Sequence, residues 1–230
     1  MKLLVIDTSG PVCGVAVTDG DRVLCEYTVQ NRNTHSANLM PMIDEAFRSA
    51  GLELKDMDAI AAVVGPGSFT GVRIGIATAK GLAHGSGKPC IPVNALEALS
   101  RNLELCEGTV CPIQDARAGQ VYGAAFARKE RLMDDRPMMI DDYADTVGRF
   151  AAPYLFVGDG VPVYREKIAA LLGESAVFAP PQLCYIRPSA AAVLACEKGK
   201  MTDYPDLKEY YLRAPNAEKN KKLLEAMKHG

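Results

Sequence analysis

The chain has 230 residues, 48% of them hydrophobic and 23% charged, with a formal net charge of -2, enough for one large domain or two small ones. That charge balance excludes autonomous tight binding to nucleic acid, which needs a basic footprint, so any bound RNA would need a partner to supply most of the positive charge. Seven cysteines with no CxxC pair exclude a zinc or dithiol motif, and no apolar run is long enough for a transmembrane helix.

Leu3 to Ile6 is a continuous apolar run, the pattern of a strand buried on both faces, and it ends in Asp7-Thr8-Ser9-Gly10-Pro11. No signal-peptide pattern precedes it, and the cysteines sit mostly in apolar surroundings, so a reducing cytoplasm is expected. Cys13 to Thr18 alternates, and Asp19-Gly20 signals a tight turn before Arg22 to Val29. The first thirty residues therefore predict a three-stranded meander with its first strand central.

Between Asn31 and Ala50, Leu39, Ile43, Ala46, Phe47 and Ala50 share one helical face, which Gly51 closes. Pro41 costs little in the first turn if Asn38 is the N-cap, but should kink a helix that begins near Thr34. Met40 and Met42 widen the apolar surface beside Leu39, which suits either core packing or a contact surface.

The stretch from Ile60 to Ala83 is the most distinctive. An apolar strand, Ile60 to Val64, breaks at Gly65-Pro66-Gly67, and Ser68 or Thr70 can cap the helix that follows. Small residues recur four apart at Gly71, Gly75, Ala79 and Ala83, a smooth stripe that admits another backbone from this chain or from a second one. A phosphate loop at the helix N-terminus is the competing reading. Its pattern fits poorly, because Gly65-x-Gly67-x-x-x-Gly71 is one residue too long for the dinucleotide fingerprint and no Lys-Ser/Thr follows.

A strand at Cys90 to Val93 and a helix from Asn94 to about Leu105 complete the order β-β-β-α-β-α-β-α, that of a ribonuclease-H-like unit, the building block of actin-like ATPases and sugar kinases. A second half begins near Gly108. It contains strands at Val110 to Ile113 and Val121 to Ala127, and a third near Arg131 to Met133. A strand at Tyr154 to Val157, a helix near Val163 to Leu172 and a strand at Ala176 to Phe178 follow, then a helix at Ser189 to Cys196 capped by Ser189. Asp7-Thr8-Ser9 before Gly14-Val15-Ala16-Val17 is echoed by Asp115-Ala116-Arg117 before Gly123-Ala124-Ala125-Phe126, the trace expected of a duplicated lobe. We therefore expect an α/β, actin-like (ASKHA) two-lobed fold of tandem ribonuclease-H-like subdomains with mixed sheets, divided into residues 1–107 and a smaller, degenerate lobe with a tail at 108–230. Lys219-Asn220-Lys221-Lys222 reads as a solvated part of that tail.

Asp7 and Asp115 each end a strand, where open sheets place ligands. With Thr8 and Ser9, Asp7 could meet Mg-nucleotide phosphates, or it could stabilise its own turn by Asx and Ser/Thr bonds. The adenosine loop of such a site has one meagre candidate, Gly158-Asp159-Gly160. His35, His84 and His229 lack the His-x-x-x-His spacing of a metal site, and Ser9, Ser36 and Ser68 lack an evident base for nucleophilic catalysis. His35 reads as a capping or contact residue. No catalytic or metal constellation assembles.

Five segments together resemble the bacterial TsaB (YeaZ) family across nearly the whole chain. They are LLVIDTS at Leu3 to Ser9, THSANLMPMID at Thr34 to Asp44, GPGSFTGVRIGIATAKGLA at Gly65 to Ala83, QDARAGQVY at Gln114 to Tyr122 and GDG at Gly158. Gln120 stands where many relatives would carry Glu. The resemblance implies a non-catalytic subunit that binds and activates its metal-holding paralogue TsaD, which transfers threonylcarbamoyl to the adenosine beside the tRNA anticodon. It implies a TsaE-type ATPase as a third member, tRNA contact only through the complex, and a homodimer when TsaD is absent. No cofactor of its own is implied, though a nucleotide at the partner boundary stays open, and Asp7, Thr8, Ser9 and Asp115 would be a vestigial nucleotide site. The contact is expected on the first two helices, at His35, Leu39, Met40, Met42, Ile43 and Phe47 on one and Gly71, Arg73, Gly75, Thr78, Ala79 and Leu82 on the other. A small actin-like ATP-dependent phosphotransferase or ATPase is the alternative.

Overall fold

A computed structural model describes residues 1–31 and 34–213; the Lys219–Lys222 stretch lies outside the described residues. The first half runs β1 (Lys2–Asp7), β2 (Cys13–Asp19), β3 (Arg22–Val29), α1 (His35–Ala50), β4 (Ala59–Gly65), α2 (Phe69–Ser86), β5 (Cys90–Asn94) and α3 (Ala95–Arg101). The second repeats the series as β6 (Thr109–Asp115), β7 (Gln120–Ala127), β8 (Glu130–Met139), α4 (Ile140–Val147), β9 (Tyr154–Val157), α5 (Val161–Leu172), β10 (Ala176–Phe178) and α6 (Pro188–Lys198). The two sheets have matching orders, β3-β2-β1-β4-β5 and β8-β7-β6-β9-β10. In each, the first three strands pair antiparallel and the last two join parallel. The echo between Asp7 and Asp115 is thus a true repeat of topology, and the two-lobed actin-like architecture is present.

Period-two alternation gives β1, β2 and β4 of the first sheet two buried faces. Leu4, Ile6, Val15, Val17, Ile60 and Ala62 face α1 and α2, whereas Leu3, Val5, Ala16, Ala59, Ala61 and Val63 turn to the opposite side. That opposite side is covered crosswise. α6, from the second half, packs on the first sheet, while α3 packs on β6 and β7 of the second. One hydrophobic cluster therefore runs from Leu3 and Ile91 through Leu96, Leu99, Ala191 and Leu194 to Val110, Phe126 and Val157. Charged groups line its rim. Arg101 of α3 is nearly buried and pairs with Glu104 at 2.8 Å and with Glu197 of α6 at 2.9 Å. Glu97 meets Lys198 at 2.7 Å and Arg131 of β8 at 3.0 Å.

Of the two starts left open for α1, the one near Thr34 is found: the helix begins at His35 with Thr34 as its N-cap, and Pro41 lies inside it. Other local expectations need correction. α3 stops at Arg101, short of Leu105, although Asn94 does cap it through Glu97 N–H at 2.8 Å. Ser189 is not the cap of α6; Arg187 holds that position. The Ser189 amide and hydroxyl instead donate to Glu26 Oε1 at 2.9 and 2.8 Å. α4 was not anticipated, although its buried residues Ile140, Tyr143, Ala144 and Val147 recur at the i, i+3, i+4, i+7 spacing of a helix.

Ser68 caps α2 as expected, accepting from Gly71 N–H at 3.2 Å. The small-residue stripe on this helix faces inward. A Cβ on Gly71 would stand 2.1 Å from Thr8 O, and one on Gly75 would stand 2.5 Å from Thr8 Oγ1. Gly81 and Gly85, on another side of α2, have no foreign atom within 4 Å of a built Cβ. Gly75→Leu is therefore expected to destabilise the chain by about 1–3 kcal/mol through overpacking. Gly81→Leu should be neutral or stabilising by up to ~1 kcal/mol, since glycine is a poor helix former. Equal denaturation midpoints for the two variants would refute this inward assignment.

Candidate functional site

β1 delivers Asp7, Thr8 and Ser9 to the junction between the lobes, and all three are buried. Asp7 Oδ1 accepts from the Ser9 amide at 2.9 Å and from the Ser9 hydroxyl at 2.7 Å. The Thr8 hydroxyl donates to Gly71 O at 2.7 Å, and Ser68 N–H donates to Ser9 O at 2.7 Å. Thr8 and Ser9 thus join β1 to the start of α2, while the Asp7 bonds stay within its own turn. Gly67, at φ 156°, makes the join possible, because a Cβ there would lie 2.3 Å from Ser9 O.

Asp115 occupies the matching end of β6. Its Oδ1 accepts from Arg117 N–H at 2.9 Å and from the Tyr164 hydroxyl at 3.0 Å, while its own amide donates to Asp159 Oδ1 at 3.2 Å. Gly158-Asp159-Gly160 thereby serves as a buttress for β6, with a Gly158 Cβ excluded 2.0 Å from Ile113 O. Burial pushes the Asp7 carboxyl up to about 6, against the lowering effect of the Ser9 hydrogen bonds and of His35. Burial likewise pushes Asp159 up to about 6.

Between Gly67–Gly71 and Asp115–Ala118 lies a cleft of about 840 Å³. At its edge Phe69 and Tyr211 stack with centroids 5.0 Å apart, and the Arg73 guanidinium lies 3.7 Å from the Phe69 centroid and donates to the Tyr211 hydroxyl at 3.0 Å. Arg213 reaches across to Gln120 Oε1. His35 also lines the cleft, its Nε2 lying 2.8 Å from Gly10 O. Among the described residues no group of three His, Cys, Asp or Glu side chains is placed to hold a metal, and no helix is long and apolar enough to cross a membrane.

The expected contact residues divide sharply. Leu39, Met42 and Ile43 are buried in the core between α1 and the first sheet, and Gly71, Gly75 and Ala79 are buried toward β1. They cannot form an outer surface, because the first sheet already covers them. Met40, at 49% exposure, and Arg73 are exposed, whereas His35, Phe47, Thr78 and Leu82 are half-buried. Reading the sequence by its most regular stripe missed a second one on the same helix: Ala77, Gly81 and Gly85, all exposed. Half-buried Ile74, Thr78 and Leu82 flank it. The four-residue spacing of Ala77, Gly81 and Gly85 was visible, but nothing in the sequence said which stripe faced the sheet.

The pH dependence follows from the two raised carboxyls. Each binds its proton more tightly folded than unfolded, so its contribution to stability is lost as pH rises from about 4 to 6. Stability should increase on acidification from pH 7 toward pH 5, with at most about 3 kcal/mol attributable to Asp7. Asp7→Asn, which keeps an acceptor for Ser9, should flatten that profile in urea titrations at several pH values. An unchanged slope would show that Asp7 titrates normally.

Comparison with known proteins places this geometry. The family model described as "TsaD: tRNA N6-adenosine threonylcarbamoyltransferase" matches residues 23–229. The tRNA threonylcarbamoyladenosine biosynthesis protein TsaB of Bacillus subtilis is 33% identical over 222 residues, covering 95% of this chain and 96% of that protein. TsaB of Haemophilus influenzae is 40% identical over 138 residues, 58% of this chain and 57% of its own. The solved structure of YeaZ from Pseudomonas aeruginosa superposes with a TM-score of 0.74 at 26% identity, covering 92% of this chain and 99% of that one. A topology of two matched lobes and similarity along almost the full length of both chains lead to one conclusion: this chain belongs to the TsaB (YeaZ) family, within the wider group that includes TsaD.

Proposed function

We propose that the chain serves threonylcarbamoyladenosine formation on tRNA as a non-catalytic subunit, binding and activating a TsaD-type paralogue through the outer face of α1 and α2. The name shared by its relatives supports the process. The observation that carries the partner role is the open stripe of Ala77, Gly81 and Gly85 beside the half-buried Ile74, Thr78 and Leu82, with exposed Met40 on the neighbouring α1. Small side chains let a second helix approach closely, and the half-exposed apolar flanks would then leave water, the main favourable term in association. Met40, Phe47, Arg73, Thr78 and Leu82 are the contact residues in this reading, with His35 at the cleft end of α1. The buried Leu39, Met42, Ile43, Gly71, Gly75 and Ala79 act indirectly, by fixing the two helices on the sheet.

In the same reading the paralogue holds the metal and the chemistry, a TsaE-type ATPase joins the pair, and tRNA is met only through the assembly, in the cytoplasm. Without the paralogue, two copies of this chain pair through the same face. The commitment of Asp7, Thr8 and Ser9 to internal bonds supports the absence of catalysis. The cleft of about 840 Å³ favours a second reading, an ATP-dependent phosphotransferase or ATPase, which ATP titration of the isolated chain tests. Micromolar binding with turnover, lost in Asp115→Asn, would establish it in place of the scaffold.

Copurification with a TsaD-type paralogue is the direct test of the partner role. Gly81→Leu should weaken that association at least tenfold, about 1.4 kcal/mol, while leaving the melting temperature of the isolated chain unchanged or higher. Undiminished pairing in Gly81→Leu would exclude the outer face of α2.

A further inference from the structure

Past α6 the chain returns across the first lobe as a strap, residues 199–213, whose two parts are held very differently. The first part is fastened. Thr202 and Cys90 of β5 exchange backbone hydrogen bonds, each 2.8 Å. The Tyr204 ring lies against His84 of α2 with centroids 4.7 Å apart, and Leu207 is fully buried with Ile76, Ala79 and Ala83 of α2. Lys208 and Glu209 follow, and neither makes a hydrogen bond or ion pair with any described residue.

The last part bridges the lobes at the edge of the large cleft, where Tyr211 and Arg213 form part of the wall. On the first lobe the Tyr210 amide donates to Val64 O at 2.8 Å, and the Tyr211 ring stacks on Phe69 while its hydroxyl accepts from Arg73. Gly65 makes room for this approach, since a Cβ there would stand 2.7 Å from Tyr210 O. On the second lobe Arg213 donates to Gln120 Oε1. None of Tyr210, Tyr211, Leu212 and Arg213 is buried. Segments with exposed hydrogen bonds and few buried contacts open at the lowest free-energy cost in a fold. The strap thus joins a fixed part to a loosely held one through two unbonded residues.

We propose that residues 210–213 are a lid on the edge of the cleft, hinged at Lys208 and Glu209, which lifts as one unit from Phe69 and Gln120 while residues 199–207 stay on the first lobe. Lifted, it uncovers the Phe69 ring within the cleft and releases Arg73 near the start of α2. The width of the cleft and the posture of Arg73 on the exposed side of α2 therefore change in the same step. The lid depends on neither functional reading above, since all of its contacts lie within this chain.

Amide exchange followed by NMR on the full chain tests the lid. Gln120→Ala should speed exchange of the Tyr210 amide about tenfold or more, as loss of a hydrogen bond from a charged group warrants, while the Thr202 and Cys90 amides keep the parent rates. The Phe69 ring protons should then broaden more strongly when the soluble nitroxide TEMPOL is added. Arg213→Ala, which cuts the same bond from the lid side, should give the same acceleration, and the double variant no more than either single change. Gln120→Glu, which turns the bond into an ion pair, should slow Tyr210 exchange at low salt, with the gain fading as salt is raised. A Tyr210 amide indifferent to these changes would show that the segment does not lift as a unit. Equal acceleration at Thr202 and Cys90 would show that it opens only with the whole fold, and either result overturns the lid.

Discussion

The join between β1 and α2 is the contact on which the remaining geometry depends. The Thr8 hydroxyl bonds to Gly71 O, the Ser68 amide bonds to Ser9 O, and Gly67, Gly71 and Gly75 remove the side chains that would hold helix and strand apart. Because the Thr8–Gly71 bond is buried, it is expensive to leave unmade. These contacts fix the height and rotation of α2 on the first sheet. That rotation decides which of its two small-residue stripes is sealed and which faces outward.

The same region shows what the strand-end acids of this frame do within the chain. An acidic turn at a strand end can collect phosphate or tie down its own backbone, and here Asp7 is satisfied by Ser9 in the second manner. The second lobe repeats the solution with different residues. Asp115 is held by Arg117 N–H and Tyr164, and Asp159 holds the Asp115 amide. The cleft between the lobes persists as a shape, walled by Phe69, Tyr211 and the start of α2.

Most of the fold was legible because its signals were local. Continuous apolar runs marked β1, β4 and β9, Asp19-Gly20 marked the first hairpin, and Gly51 and Gly87 end α1 and α2 in left-handed turns. The repeat showed through Asp7 and Asp115 because strand-end chemistry survives where sequence identity does not. What stayed hidden was long-range. Ser189 looked like a cap because its helix was visible, but Glu26, 163 residues away, was not. Met42 and Met40 looked equivalent, yet one faces the sheet and the other water. The stripe of Gly71, Gly75 and Ala79 looked like a contact for a partner, and only Thr8 reveals that the group approaching Gly71 and Gly75 belongs to the same chain.

The crossed placement of α3 and α6 bears on how the protein is made. The inner face of the first sheet, with Leu3, Val5, Ala61 and Ile91, is covered by α6 at Pro188–Lys198. A ribosome delivers that helix on the order of seconds after β5 has emerged. Until then the nascent first half carries an apolar sheet face that α3 reaches mainly at β4 and β5. Its three-stranded meander can form early from local pairings, but the sheet acquires the rest of its second layer only after α6 has been made. The two halves are thus similar in topology yet interdependent in packing, each lending a helix to the other's sheet.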